Sequence, residues 1–174
     1  MDKIGIVGAG AWGTALSAVA HRAGREVQIW ARELEVVESI NSEHKNNIFL
    51  PDVFLAPEIR ATTDLAQVTD SDALILVTPS QFLRSTCEAL ASHLDISTPV
   101  IICAKGIELA SGALMSEVFK EVLPRHDYAI LSGPTFAAEI AREKPSAVTL
   151  ASRGSNIRDS LAKALGTPRF RIYK

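Results

Sequence analysis

Ile4-Gly5-Ile6-Val7-Gly8-Ala9-Gly10-Ala11-Trp12-Gly13-Thr14-Ala15-Leu16 decides the fold. A short apolar run, Ile4–Val7, reads as a buried strand. An Ala-rich segment, Thr14–Ala23, reads as a helix that stops at Gly24, a residue suited to ending helices. Between them stands Gly8-x-Gly10-x-x-Gly13. Gly8 permits the tight turn, Gly10 lets the backbone approach an anion closely, and Gly13 lets helix and strand pack together. The free N–H groups and positive end of such a helix bind phosphate. On its own the pattern is weak. Set between strand and helix in a βαβ unit of the expected length, it predicts a site for a dinucleotide pyrophosphate.

Outward from that turn the alternation continues. Apolar runs at Val27–Trp30, Ala73–Val77, Val100–Cys103, Ala129–Leu131 and Ala147–Ala151 read as strands, with weaker ones at Ile59–Thr62 and Arg169–Tyr173. Helical patterns fall at Ser80 to about Leu94, Leu114–Leu123 (stopping before Pro124), Thr135–Arg142 and Asn156–Leu165. Strand-helix alternation predicts an α/β fold: a doubly wound, mostly parallel Rossmann-type sheet with helices on both faces. Residues 41–57 break the rhythm and are expected as a long loop over the sheet. The 174 residues fit one dinucleotide-binding domain.

A formal net charge of −2 argues against a nucleic-acid footprint. No apolar run approaches the roughly 20 residues of a spanning helix, so no membrane insertion is expected. Cys87 and Cys103 form neither a disulfide framework nor a zinc spacing, and sit in apolar runs. Core packing and a reducing, cytoplasmic setting follow. No metal site is expected.

In an open parallel sheet ligands bind beyond the carboxyl ends of the strands. Trp30-Ala31-Arg32-Glu33 follows the second strand. Arg32 there accommodates the 2′-phosphate of NADP(H), and Glu33 keeps NAD(H) open. Thr78-Pro79-Ser80, Ala104-Lys105-Gly106 and Ser132-Gly133-Pro134-Thr135 end three further strands. Lys105 is placed to bind a substrate oxygen or phosphate. Gly133 and Thr135 offer an N–H and a hydroxyl at a helix start, where Thr135 would also serve as N-cap. His44 and Asn46 are weaker candidates for the substrate cleft. His21, His93 and His126 receive no role.

The sequence resembles the N-terminal domain of bacterial NAD(P)-dependent glycerol-3-phosphate dehydrogenases. The resemblance rests on Gly8–Leu16, Phe49-Leu50-Pro51, Thr62-Thr63-Asp64-Leu65, Lys105-Gly106-Ile107-Glu108 and Ser132–Ala137, in family order along nearly the whole chain. It implies reversible hydride transfer between sn-glycerol 3-phosphate and dihydroxyacetone phosphate, supplying the backbone of phospholipids. It implies that Ala11, Trp12, Arg32 and Ala137 contact the cofactor, that Lys105 lies between cofactor and substrate, and that Gly133 and Thr135 contact the substrate. The family's general-base lysine and its Arg-Asn pair for the substrate phosphate lie in a second, helical domain. Neither motif occurs in these residues, so no catalytic base is expected before Lys174. The chain is expected to bind cofactor but turn over little substrate, and the family's homodimers form through that second domain. Another two-domain Rossmann dehydrogenase, of hydroxyacid or ketopantoate type, and a stand-alone NAD(P)-binding module are the other readings of the glycine turn.

Overall fold

The computed structural model describes all residues, 1–174. In chain order the first half comprises β1 (Lys3–Val7), α1 (Ala11–Arg22), β2 (Glu26–Trp30), α2 (Leu34–Glu38), a π-helical turn (Ser39–Glu43), β3 (Lys45–Asn46), β4 (Leu50–Phe54), β5 (Arg60–Thr62) and α3 (Leu65–Thr69). The second half comprises β6 (Ala73–Leu76), a 3₁₀ turn (Ser80–Phe82), α4 (Leu83–Leu90), β7 (Val100–Ile102), α5 (Met115–Val122), β8 (Tyr128–Ser132), α6 (Ala137–Ala141), β9 (Ser146–Ala151), α7 (Ser155–Leu165) and β10 (Phe170–Tyr173).

Eight strands form one sheet in the order β10-β9-β8-β7-β6-β1-β2-β5. Alternate strand residues serve two cores. Ile4, Ile6, Ile75 and Ile101 pack with Leu16 and Val19 of α1 and Leu161 and Leu165 of α7. Val7, Leu74, Leu76 and Ile102 pack with Leu83, Cys87 and Leu90 of α4 and Val118 and Phe119 of α5. Burial on both faces is why these strands read as unbroken apolar runs. The chain leaves β1 toward β2 on one side and returns to β6 on the other. The crevice of a doubly wound sheet therefore opens above β1 and β6.

One expectation needs correction, and two features go beyond the expectations. Residues 41–57 are not simply a loop: β3 and β4 pair there as a small antiparallel hairpin with a register shift at Lys45/Asn46. Its scattered apolar residues, Leu50 and Val53, are buried against Ala15 and Ala141 rather than spaced for a helix or a long strand. The sheet also reverses at its far side, because β9 runs antiparallel to β8. The five residues of α6 span only about 7.5 Å, too short to carry the chain back across the sheet. Accordingly β9 buries Val148 and Leu150 while their neighbours stay exposed or half-exposed. Finally, α2 and α3 were not anticipated. Each is a five-residue turn, too short to show a period, though Asp64 caps α3 by accepting the Ala66 N–H at 2.9 Å.

Both cysteines are free and buried. Burial pushes each thiol up to about 12, which keeps it protonated and inert. No helix is long and apolar enough to cross a membrane.

Candidate dinucleotide site and its neighbour

The glycine turn is shaped by close approaches. Gly8 has φ +115°, and a Cβ there would meet the Val77 carbonyl at 3.0 Å and the Thr78 nitrogen at 3.2 Å. A Cβ on Gly13 would land inside the contact shell of the Gly8 carbonyl. Gly10 is different: its φ is −66° and nothing lies within 4 Å of where its Cβ would be. That empty side faces outward, as the anion-approach reading of the second glycine requires.

Gly10 is also the N-cap of α1, with no side-chain cap and no acidic residue in the first turn. The first N–H groups of a twelve-residue helix are thus left without side-chain partners at its positive end. A cleft of ≈ 520 Å³ opens there, lined by Gly8, Gly10, Arg32, Phe49, Thr78 and Phe82 among others. Arg32 is largely exposed and pairs with Glu33 at 3.0 Å, both at the cleft wall. The Thr78 hydroxyl is buried without a partner at the cleft wall. An orphaned donor, an uncapped helix and an open Gly10 fit a dinucleotide pyrophosphate.

A second group of residues stands along the same sheet rim. Exposed Lys105, beyond β7, donates its ammonium to the Gly133 carbonyl, beyond β8, at 3.4 Å. Gly133 is held tightly, since a Cβ would meet Ala147 O and Val148 Cα at 3.0 Å. Thr135 does not cap α6. Phe136 takes the N-cap position in extended conformation, and the Thr135 hydroxyl is buried and unpartnered. The helix begins at Ala137, later than the hydroxyl could serve it.

The loop carrying Lys105 is braced from behind. Glu108, 7 % exposed, receives both arms of Arg84 at 2.9 Å each and the Ser111 hydroxyl. Arg84, and next Ser111, hold the Glu108 carboxyl below its usual range. Gln81 grips the backbone on either side, donating to Ile107 O at 2.9 Å and accepting from the Leu109 N–H at 3.0 Å.

The structure therefore unites Gly8, Gly10 and Arg32 in one cleft and Lys105 with Gly133 beside it. Ala11 and Ala137 each pack against the small cluster under the hairpin. Trp12 is half-buried against the core, with its indole beside the Cys103 thiol rather than in the 520 Å³ cleft. His44 lies at the base of the hairpin in left-handed conformation, φ 54°. Sequence reasoning missed the Thr78 hydroxyl, the Arg84–Glu108 brace and the burial of Asn46. Only Thr78, at a strand end before a proline, carried a local signal.

Fold and cleft together define a dinucleotide-binding α/β domain. Residues 3–158 match the family described as NAD-dependent glycerol-3-phosphate dehydrogenase N-terminus, and the chain belongs to that family. It is 51 % identical over 173 residues to the glycerol-3-phosphate dehydrogenase [NAD(P)+] of Paramagnetospirillum magneticum, covering 99 % of this chain and 63 % of the relative. It is 50 % identical to that of Parvibaculum lavamentivorans, covering 98 % and 51 %. The crystal structure of glycerol-3-phosphate dehydrogenase from Coxiella burnetii is similar with a TM-score of 0.93 at 33 % identity, covering 99 % of this chain and 53 % of that one. The Saccharomyces cerevisiae enzyme is similar with a TM-score of 0.86 at 28 % identity, covering 99 % and 56 %. The chain thus spans between half and two thirds of the length of these relatives.

Proposed function

We propose that the protein carrying this chain is an NAD(P)-dependent sn-glycerol-3-phosphate dehydrogenase working in the cytoplasm, and that residues 1–174 form its cofactor-binding part. The observation that carries this reading is the juxtaposition along one sheet rim. The open glycine cleft lies on one side, and Lys105 against the Gly133 carbonyl on the other.

Each residue has a task in this reading. The N–H groups around Gly10 and Ala11 hold the pyrophosphate, and Thr78 donates its orphaned hydroxyl to the same ligand. Arg32 releases Glu33 to engage a 2′-phosphate, or Glu33 itself accepts a ribose hydroxyl, so both cofactors are used and NADP(H) is preferred. Trp12 at the start of α1 and Ala137 at the start of α6 border the cofactor. When bound, the nicotinamide supplies or accepts the hydride. Lys105 leaves the Gly133 carbonyl to bind an oxygen of glycerol 3-phosphate or dihydroxyacetone phosphate. The freed Gly133 and the Thr135 hydroxyl orient the same substrate. These groups bind and orient; none is assigned the proton transfer.

The test is a pair of assays on the 174-residue chain. NADPH should bind with saturable fluorescence quenching and more tightly than NADH. NADPH oxidation by dihydroxyacetone phosphate should stay roughly 10²–10⁴-fold below that of the Paramagnetospirillum relative, the range a positioned base contributes. Absence of NADPH binding contradicts the cofactor reading. Turnover equal to the relative's contradicts the division of tasks.

A further inference from the structure

The hairpin of β3 and β4 touches the glycine turn through one side chain. Asn46 is fully buried. Its amide NH₂ donates to the Ala9 carbonyl at 2.7 Å and to the Thr14 hydroxyl at 2.8 Å. Its carbonyl oxygen accepts the Phe49 N–H at 3.0 Å. Ala9 sits between the first two glycines of the turn, Thr14 lies in the first turns of α1, and Phe49 lines the cleft mouth. Two segments far apart in sequence, the glycine turn with the start of α1 and the hairpin, are thus joined at a single amide.

The Ala9 carbonyl has one other acceptance, a long 3.4 Å contact from Thr14. Asn46 therefore decides where this carbonyl points. Every peptide bond in the chain is trans, so the Gly10 N–H is directed opposite to the Ala9 carbonyl. Holding the carbonyl into the hairpin turns the Gly10 N–H the other way, and Gly10 lines the cleft. Besides Asn46 only the Thr14 hydroxyl donates to the turn, at 3.4 Å, and Gly10 itself carries no side-chain cap.

We propose that Asn46 is a positioning residue for the dinucleotide: it orients the Ala9–Gly10 peptide toward the pyrophosphate and locks the hairpin bearing Phe49 to that turn. This rests on the cofactor reading above. Asn46 touches no ligand itself. Its amide is suited to the task because it donates to two oxygens while accepting one N–H, a combination that neither Asp nor Leu provides.

The role separates from mere support of the fold by which ligands it affects. NADP⁺ and ADP both carry a pyrophosphate, whereas 2′-AMP carries only the phosphate that Arg32 would meet. Asn46→Leu and Asn46→Ser, titrated calorimetrically at 10 °C as folded 174-residue chains, should weaken NADP⁺ and ADP about tenfold. Binding of 2′-AMP should change less than twofold by the same comparison. Asn47→Ala, which loses only an exposed contact to Glu43, should leave all three unchanged. A lowered melting temperature with unchanged affinities, or equal losses for all three ligands, would overturn the proposal. Should both variants fail to fold, the wild-type chain supplies the readout. Saturating inorganic pyrophosphate, which has no ring to stack on Phe49, should slow hydrogen exchange of the Phe49 amide. An unchanged rate would overturn the proposal equally. If the wild-type chain binds none of the three nucleotides, the cofactor reading fails first and takes this inference with it.

Discussion

The two halves of the sheet rim are built from different materials. Above β1 and β6 the cleft is made of backbone: a turn of three glycines, an uncapped helix end and one orphaned hydroxyl. Above β7 and β8 the rim is made of side chains: Lys105 on the Gly133 carbonyl, the Arg84–Glu108–Ser111 brace and the Gln81 grip. The first half leaves its donors unpaired, the second pairs nearly all of its charges within the chain. Both expose apolar side chains: Phe49 and Phe82 at the cleft, and Ile107, Leu109, Leu114 and Phe136 along the second half. Backbone groups cannot be titrated and are sensitive to added atoms. Side-chain networks tolerate added atoms better but depend on ionisation.

That difference can be broken deliberately. Gly13→Ala places a methyl against the Gly8 carbonyl and should destabilise the whole domain by about 3 kcal/mol, read from the urea midpoint. At this size the melting temperature should fall by roughly 10 °C. A melting temperature within 2 °C of wild type, on the same scale of about 2–4 °C per kcal/mol, would show that the packing at the turn is looser than described.

The side-chain half should answer to pH instead. Arg84 and Ser111 hold Glu108 below the ordinary glutamate value of about 4.5, so its contribution to stability is fully present above that value. It is lost as pH falls through the lowered value in the fold. Urea midpoints taken down to acid pH should fall less steeply in Glu108→Gln than in wild type below pH 4.5. Parallel acid limbs would remove Glu108 from the account. Between those extremes stands Arg32. Arg32→Asp should weaken NADPH about tenfold while leaving NADH binding near wild type, because the guanidinium is suited to a phosphate. Equal effects on both cofactors would refute the 2′-phosphate role.

The smallest effect is expected at Thr78. Removing an unpartnered buried hydroxyl in Thr78→Val should leave stability within about 0.5 kcal/mol, or raise it, and weaken NADPH about threefold. A stability loss without change in affinity would place the hydroxyl in the fold rather than at the ligand.

The same contrast explains what could be read from the sequence. Strands buried on both faces print themselves as apolar runs, so β1, β6 and β7 were visible, and the three glycines stood out by spacing alone. Lys105, Gly133 and Thr135 were visible because they end strands. Invisible were the contacts that cross the chain. Nothing near Asn46 says that it reaches Ala9, 37 positions away. Nothing near Arg84 says that it faces Glu108. The reversal at β9 was hidden because six residues alternating on one face resemble a short buried run when their exposed members are Ala and Thr. Thr135 was misread as a cap because the helix starts two residues later than its pattern.

The central claim is that the second glycine is kept bare for the ligand rather than for the fold. Gly10→Val tests it with one titration, since its φ suits any residue and its surroundings are open. A calorimetric titration of the folded variant with NADPH should show affinity reduced by about 100-fold or more, about 2.7 kcal/mol. Binding within about twofold of wild type, or less than 0.5 kcal/mol by the same conversion, would contradict the account at its root.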